Sequence, residues 1–194
     1  MTERKTSRKN PGLHLSKKER SKIKIMHAAK GLFEEYGVGN VTFQMIADRA
    51  DMCRTTIFNH FNGMDELMVA LTAREVLDIQ EYCEEHALHG MDLIYGLYDK
   101  LMEDTAYYPA LTSTLINDAI TSKDDDNPIR IIEEMTVRGL EEAGDEDPEK
   151  TAILVEGAYY GIVNHCHVYN KKFEKEELQK EFRNLLNIVI GGNL

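Results

Sequence analysis

The chain has 194 residues (22.2 kDa), 42% of them hydrophobic and 29% charged, a balance that buries a core and allows one ordinary domain or two small ones. No run approaches the ~18 consecutive apolar residues of a membrane span, and no apolar stretch follows the charged N-terminus as a secretory signal would require. The net charge of −11 is split: residues 1–24 carry +7, residues 1–74 carry +5 and residues 75–194 carry −16.

A basic head on an acidic body is the asymmetry of a protein that meets a polyanion at one end. A short basic tail would also serve solubility alone, so charge raises the question without deciding it. Three widely spaced cysteines, Cys53, Cys83 and Cys166, fit a reducing cytoplasm rather than a disulfide framework. The expected location is therefore cytoplasmic.

In chain order, residues 1–15 hold Pro11, Gly12 and many cations without apolar periodicity, and read as a flexible basic arm. Ser16 followed by Glu19 forms a capping box that starts a first helix, whose inner face is Ile25, Ala28, Ala29, Leu32, Phe33 and Tyr36. Gly37 and Gly39 stop it. Thr42 caps a short second helix with Ile46, Ala47 and Ala50 inward, and after Asp51-Met52-Cys53 a third runs from Arg54 to about Phe61. Asn62-Gly63 breaks the chain before a long helix from about Met64 to His86. Ile94, Leu97, Tyr98, Leu101 and Met102 mark the next stripe, and Pro109 precedes another helix. Asn127-Pro128 and Asp147-Pro148 each set a capping residue before a proline at the first helical position. The last two helices, about 148–169 and 174–190, are the most apolar. The expectation is an all-α fold of about nine helices. The chain divides into the arm (1–15), a helix-turn-helix head (16–63) and a larger helical body (64–194).

Two short helices joined by a tight turn over a third form a helix-turn-helix. The second of the pair turns Arg54, Thr55, Asn59 and His60 outward, a face without acids that suits base edges and phosphates in a major groove. An ordinary αα-hairpin has the same outline, so this alone leaves DNA binding open.

Ile25, Ala28, Ala29, Leu32, Phe33, Gly37, Thr42, Ile46, Ala47, Ala50, Thr56, Ile57, Phe58, Phe61 and Leu67 run in order without gaps over roughly residues 20–70. Over this quarter of the chain the sequence resembles the TetR-type (tetracycline-repressor-like) transcriptional regulators. The resemblance implies a homodimer that binds double-stranded operator DNA and leaves it when a small-molecule effector enters the C-terminal part. It makes Arg54 and Thr55 base readers, and Thr42, Thr56, Phe58, Asn59 and His60 phosphate or groove contacts. Three positions depart from the family pattern. Phe58 stands in place of Tyr, Met64 in place of a frequent Lys, and Cys53 in place of a capping Ser or Thr. A thiol accepts hydrogen bonds weakly, so phosphate contacts are lost that the basic arm would partly restore.

In the body, Val155, Ala158, Tyr159, Ile162 and Cys166, with Leu178, Phe182, Leu185 and Val189, are expected at a two-fold four-helix interface, because both helices look too apolar to face water. Tyr95, Tyr98, Met102, Tyr107, Tyr108, Leu111, Leu115, Met135, Tyr159 and Tyr160 are the candidates for an effector pocket, although each taken singly is better explained as core. Glu85, His86 and His89 resemble a metal pair, and so do His165, Cys166 and His167. Positions two apart on a helix diverge by about 200°, and the expectation is no metal and no cofactor. No nucleophile–base spacing, phosphate-cradling glycine loop or HExxH supports an enzyme. The alternative to a regulator is a helical interaction module that has lost specific DNA binding.

Overall fold

The computed structural model describes residues 16–123 and 127–191, so the expected arm, 1–15, lies outside the described residues. The described residues form nine α-helices and one 3₁₀ turn, with no strand. α1 (Lys17–Tyr36) starts at the capping box: Ser16 Oγ accepts from Glu19 N at 3.1 Å, and Glu19 Oε2 accepts from Ser16 N at 2.8 Å. Gly37, at φ 76°, ends it before the 3₁₀ turn Val38–Asn40. α2 (Phe43–Arg49) is capped by Thr42, whose hydroxyl accepts from Met45 N. α3 (Arg54–Phe58) is shorter than its sequence pattern suggests, because the chain tightens after Asn59 with His60 N donating to Ile57 O.

α4 (Met64–Glu85), α5 (Gly90–Tyr107) and α6 (Pro109–Thr121) follow. α7 (Pro128–Ala143) is capped by Asn127 and closed by left-handed Gly144, α8 spans Pro148–Val168 and α9 Lys175–Gly191. Asp147 does precede a helix, but its side chain does not cap it. Asp145 accepts from Asp147 N and from the Thr151 hydroxyl instead.

Two hydrophobic clusters organise these helices. The head cluster joins Ile25, Ala29, Leu32 and Phe33 of α1 to Ile46, Ala47, Ile57 and Phe61, and it extends to Leu67 and Leu71 of α4 and Leu111 of α6. The body cluster gathers the second half of α4 with α5, α7, α8 and α9 around Leu97, Tyr98, Met102, Val155 and Phe182. α4 thus serves both clusters, its first two turns facing the head.

The residues expected between two copies are placed differently. Val155, Tyr159, Ile162, Cys166, Leu178 and Phe182 are buried within the protomer's own body cluster, and Ala158, Leu185 and Val189 are half-buried against it. Apolar spacing identifies a face that avoids water, and here α7 covers that face of α8, α5 covers that of α9, and the two helices pack on each other. The outer surfaces of α8 and α9 carry a different set: Ile153, Leu154 and Ile188 are exposed by more than half, and an added Cβ at Gly157 or Gly161 would meet nothing within 4 Å.

Candidate nucleic-acid interface and ligand cavity

The head is built to present α3. Small Ala47 and Ala50 are buried where α2 meets its neighbours, and Ile46 and Ile57 are fully buried between the helices. Asp51 takes a left-handed backbone (φ 51°) that reverses the chain, and Met52 N donates to Ala47 O at 2.9 Å to close the turn. A two-pronged ion pair from Arg49 to Glu35, at 2.9 and 2.8 Å, ties the end of α2 to α1.

On this frame Arg54, Thr55, Phe58 and Asn59 are exposed together on α3, and Thr42 is exposed at the start of α2. Phe58 rests edge-on against Phe43 with ring centroids 5.1 Å apart, and the Arg54 guanidinium lies 5.3 Å from the Phe58 ring. Phe58 therefore supplies a platform that orients Arg54, a role that does not need the phenolic oxygen it lacks. Thr56 and His60 are only half-exposed. The Thr56 hydroxyl lies 2.9 Å from Cys53 Sγ at the helix start, where no side chain caps the backbone. His60 Nε2 lies 3.1 Å from Ser21 Oγ and fastens the end of α3 to α1. Burial, with Lys18 and Lys22 nearby, lowers the pKa of His60 and keeps the ring neutral near pH 7.

Those two lysines extend the site beyond what α3 alone supplies. Lys18 and Lys22 of α1 lie near His60 just past the end of α3, with Lys22 5.6 Å from the Phe61 ring and near Glu66, and neither they nor Arg54 form a salt bridge among the described residues. The apolar stripe of α1 pointed to them only indirectly, by leaving them off its buried face.

A cavity of about 110 Å³ opens in the body between α4, α5, α6, α7 and α8. Four of the expected residues, Tyr98, Leu115, Tyr159 and Tyr160, line it. Met102 and Met135 are buried in the body cluster instead, and Tyr107 is exposed. Tyr95 sits under Arg183, whose guanidinium is 5.1 Å from its ring. Tyr108 and Leu111 belong to the head cluster.

Glu75, Asp104 and Glu156 also line the cavity and were not signalled by sequence, since acids on helices usually face solvent. Lys30 of α1 reaches both carboxylate oxygens of Glu75 at 2.9 Å, yet burial outweighs it and holds the Glu75 pKa above its usual value. The same Lys30 ammonium lies 4.4 Å from the Tyr108 ring, and Glu34 of α1 accepts from Ala110 N (2.9 Å) and Leu111 N (3.2 Å) at the start of α6. One helix of the head is thus bonded to two helices of the cavity wall.

The histidines singled out as possible ligands go to separate partners. His86 Nδ1 lies 2.8 Å from Tyr82 O, His89 approaches Glu142, His165 lies against Tyr169, and His167 Nε2 lies 2.6 Å from Ser113 Oγ. Among the described residues no three His, Cys, Asp or Glu side chains converge as a metal site would require, and no helix is long and apolar enough to cross a membrane.

Residues 25–71 match the model for bacterial regulatory proteins of the tetR family. No curated protein matches the sequence. Among solved structures, a transcriptional regulator (TerR/AcrR family) from Aquifex aeolicus VF5 aligns with a TM-score of 0.67 at 18% identity, over 87% of this chain and 99% of its own. SmeT, the repressor of the Stenotrophomonas maltophilia multidrug efflux pump SmeDEF, aligns with a TM-score of 0.66 at 20% identity, over 88% of this chain and 89% of its own. SmeT is also known as a complex with triclosan. A TetR-like transcriptional regulator from Rhodococcus sp. RHA1 gives 0.65 at 17% identity, over 92% and 98%. What this chain shares with them over its length is the fold.

Proposed function

We propose that this chain, with a tetR-type helix-turn-helix at its head and the fold of those regulators throughout, is a DNA-binding transcriptional regulator. In this reading it binds a palindromic operator as a homodimer, and a small molecule entering the body cavity releases it. The observation that carries the reading is the exposed α3 face, where Arg54, Thr55 and Asn59 present donors and acceptors beside Lys18 and Lys22, with no acid on α3. The head division at residues 16–63 is part of the proposal, with the first turns of α4 supporting it.

The outer faces of α8 and α9 support the dimer. Ile153, Leu154 and Ile188 are exposed, and the open backbone at Gly157 and Gly161 leaves room for a facing helix. Two-fold pairing there would set two copies of α3 about 34 Å, or a multiple of it, apart on DNA. The regulator reading fits a cytoplasmic protein and assigns the chain no catalytic step.

The test is binding of the full chain to duplex DNA from upstream of its own gene, followed by anisotropy and native mass spectrometry. A dimer on that DNA is expected, and Arg54→Ala should weaken specific binding by about 10- to 100-fold while leaving non-specific binding nearly unchanged. Equal affinity for operator and random DNA would reject the reading and favour a helical interaction module.

A further inference from the structure

The hydrogen-bond donors on the cavity wall are largely committed. Thr136 Oγ1 donates to Ile132 O at 2.8 Å, so its oxygen is left to receive the Tyr98 hydroxyl at 3.0 Å. Thr105 repeats the arrangement: it donates to Leu101 O at 2.8 Å and receives the Tyr159 hydroxyl at 2.9 Å. The Thr72 hydroxyl is spent on Met68 O at 3.0 Å. Of the three wall carboxylates, Glu75 holds Lys30 and Asp104 holds Lys100, each at 2.9 Å.

Glu156 is the exception. Its side chain is buried, with 9% of the residue's surface exposed, and Oε1 has no hydrogen-bond partner among the described residues. No Lys, Arg or His lines the cavity. Glu133 from α7, Tyr98 from α5 and Tyr160 from α8 are close enough to Glu156 to act on it, and the other titratable groups on the same wall are Tyr159 and the two acids Glu75 and Asp104, each already paired with a lysine outside the cavity. Among the lining residues, α6 contributes no titratable side chain. Burial, reinforced by Glu133, pushes the Glu156 carboxyl up to about 7. A buried carboxylate with neither counter-charge nor donor is costly to keep, and a bound partner that supplies both removes that cost.

We propose that the cavity takes a small lipophilic amine, whose ammonium N–H donates to Glu156 Oε1 while its apolar body lies among Leu101, Leu115, Ile116, Ile132 and the tyrosine rings. The inference rests on the ligand-responsive reading of the body and names the chemical class that its site accepts. The tyrosine faces add to the fit, since a cation is drawn to an aromatic ring as well as to a carboxylate. At ~10–15 Å³ for each water-sized position, the cavity holds roughly ten non-hydrogen atoms.

Three probes of that size separate the possibilities: 3-phenylpropylamine, 3-phenylpropanol and 3-phenylpropanoate, titrated calorimetrically into the full chain. At pH 8 the amine should bind about tenfold tighter than the alcohol, and the propanoate weakest. Glu156→Gln should bring the amine down to the alcohol's affinity and leave the alcohol within about twofold of its wild-type value. In the wild type, the amine's affinity should fall about tenfold from pH 8 to pH 6 as Glu156 gains its proton, and this profile tests the site without any substitution. Alcohol or propanoate binding as tightly as the amine, a pH-independent amine affinity, or no binding of any probe would overturn the proposal.

Operator binding without an amine preference would reject the amine and keep the regulator. An amine preference abolished by Glu156→Gln, without specific DNA binding, would do the reverse.

Discussion

The head and the body of this chain leave opposite kinds of hydrogen-bonding capacity unspent. On the head the surplus is outside and consists mostly of donors: Arg54, Lys18 and Lys22 stand around α3 with no ion pair among the described residues. In the body the surplus inside is an acceptor, Glu156 Oε1, while the hydroxyls of Tyr98 and Tyr159 are taken up by Thr136 and Thr105. An exposed surplus costs little, because water fills it until a polyanion displaces the water and counterions. A buried surplus is expensive, because nothing in the folded chain replaces the lost hydration. The first arrangement suits a large partner met at the surface, and the second suits a small one that enters.

The contrast can be broken at several points. The largest effect is expected at the proposed contact between two copies. Leu154→Arg combined with Ile188→Arg should leave the fold intact by circular dichroism but give a monomer by light scattering. Operator affinity should then fall by about 100-fold or more, because the second half-site is no longer tethered. A monomer that still binds the operator with full affinity would mean the two heads act independently.

The next effect concerns the price of the buried acceptor. The folded Glu156 carboxyl keeps its proton up to about pH 7, whereas in the unfolded chain it loses it near its ordinary value of 4.5. Between those values the folded state binds more protons, so this residue's contribution to stability falls as pH rises through that window and levels off above it. Glu156→Gln does not titrate. Its urea-unfolding stability relative to wild type should rise by up to about 3 kcal/mol from pH 4.5 to pH 8. A difference that stays flat with pH would show that Glu156 is solvated.

The smallest effect probes the connection between the regions. Glu34→Gln weakens the carboxylate that holds two backbone N–H groups at the start of α6, and should lower stability by about 1 kcal/mol. Amine affinity should stay unchanged, while the amine's ability to weaken operator binding drops. An unaltered response of DNA binding to the amine would place the connection elsewhere, with the Lys30–Glu75 pair the next place to look.

The head was legible in the sequence because its signals are local. Ser16 with Glu19, Thr42 three residues before Met45, and the small pair Ala47 and Ala50 each act within a few residues of where they stand. The short third helix and the turn at Asp51 follow from the same local chemistry. His60 was readable as a polar residue near the end of α3, but its bond to Ser21 joins positions 39 apart and has no local sign.

The body was legible only in outline. Asn127-Pro128 marked the start of α7, and the stripes on α5, α8 and α9 marked faces that avoid water. Helical spacing says that a face is covered and not what covers it, and for that reason Val155 and Phe182 proved to be core while Leu154 and Ile188 were left outside. By itself the sequence determined where helices start and stop, which faces are apolar and that the head forms a helix-turn-helix, because capping, backbone conformation and periodicity act over one or two turns. Only the tertiary structure decided that α7 covers the inner face of α8 and α5 that of α9, that Lys30 and Glu34 fasten α1 to the cavity wall, and that Glu156 is enclosed without a partner. Those outcomes depend on which distant helices meet, and a carboxylate on a helix faces water unless another element is packed over it.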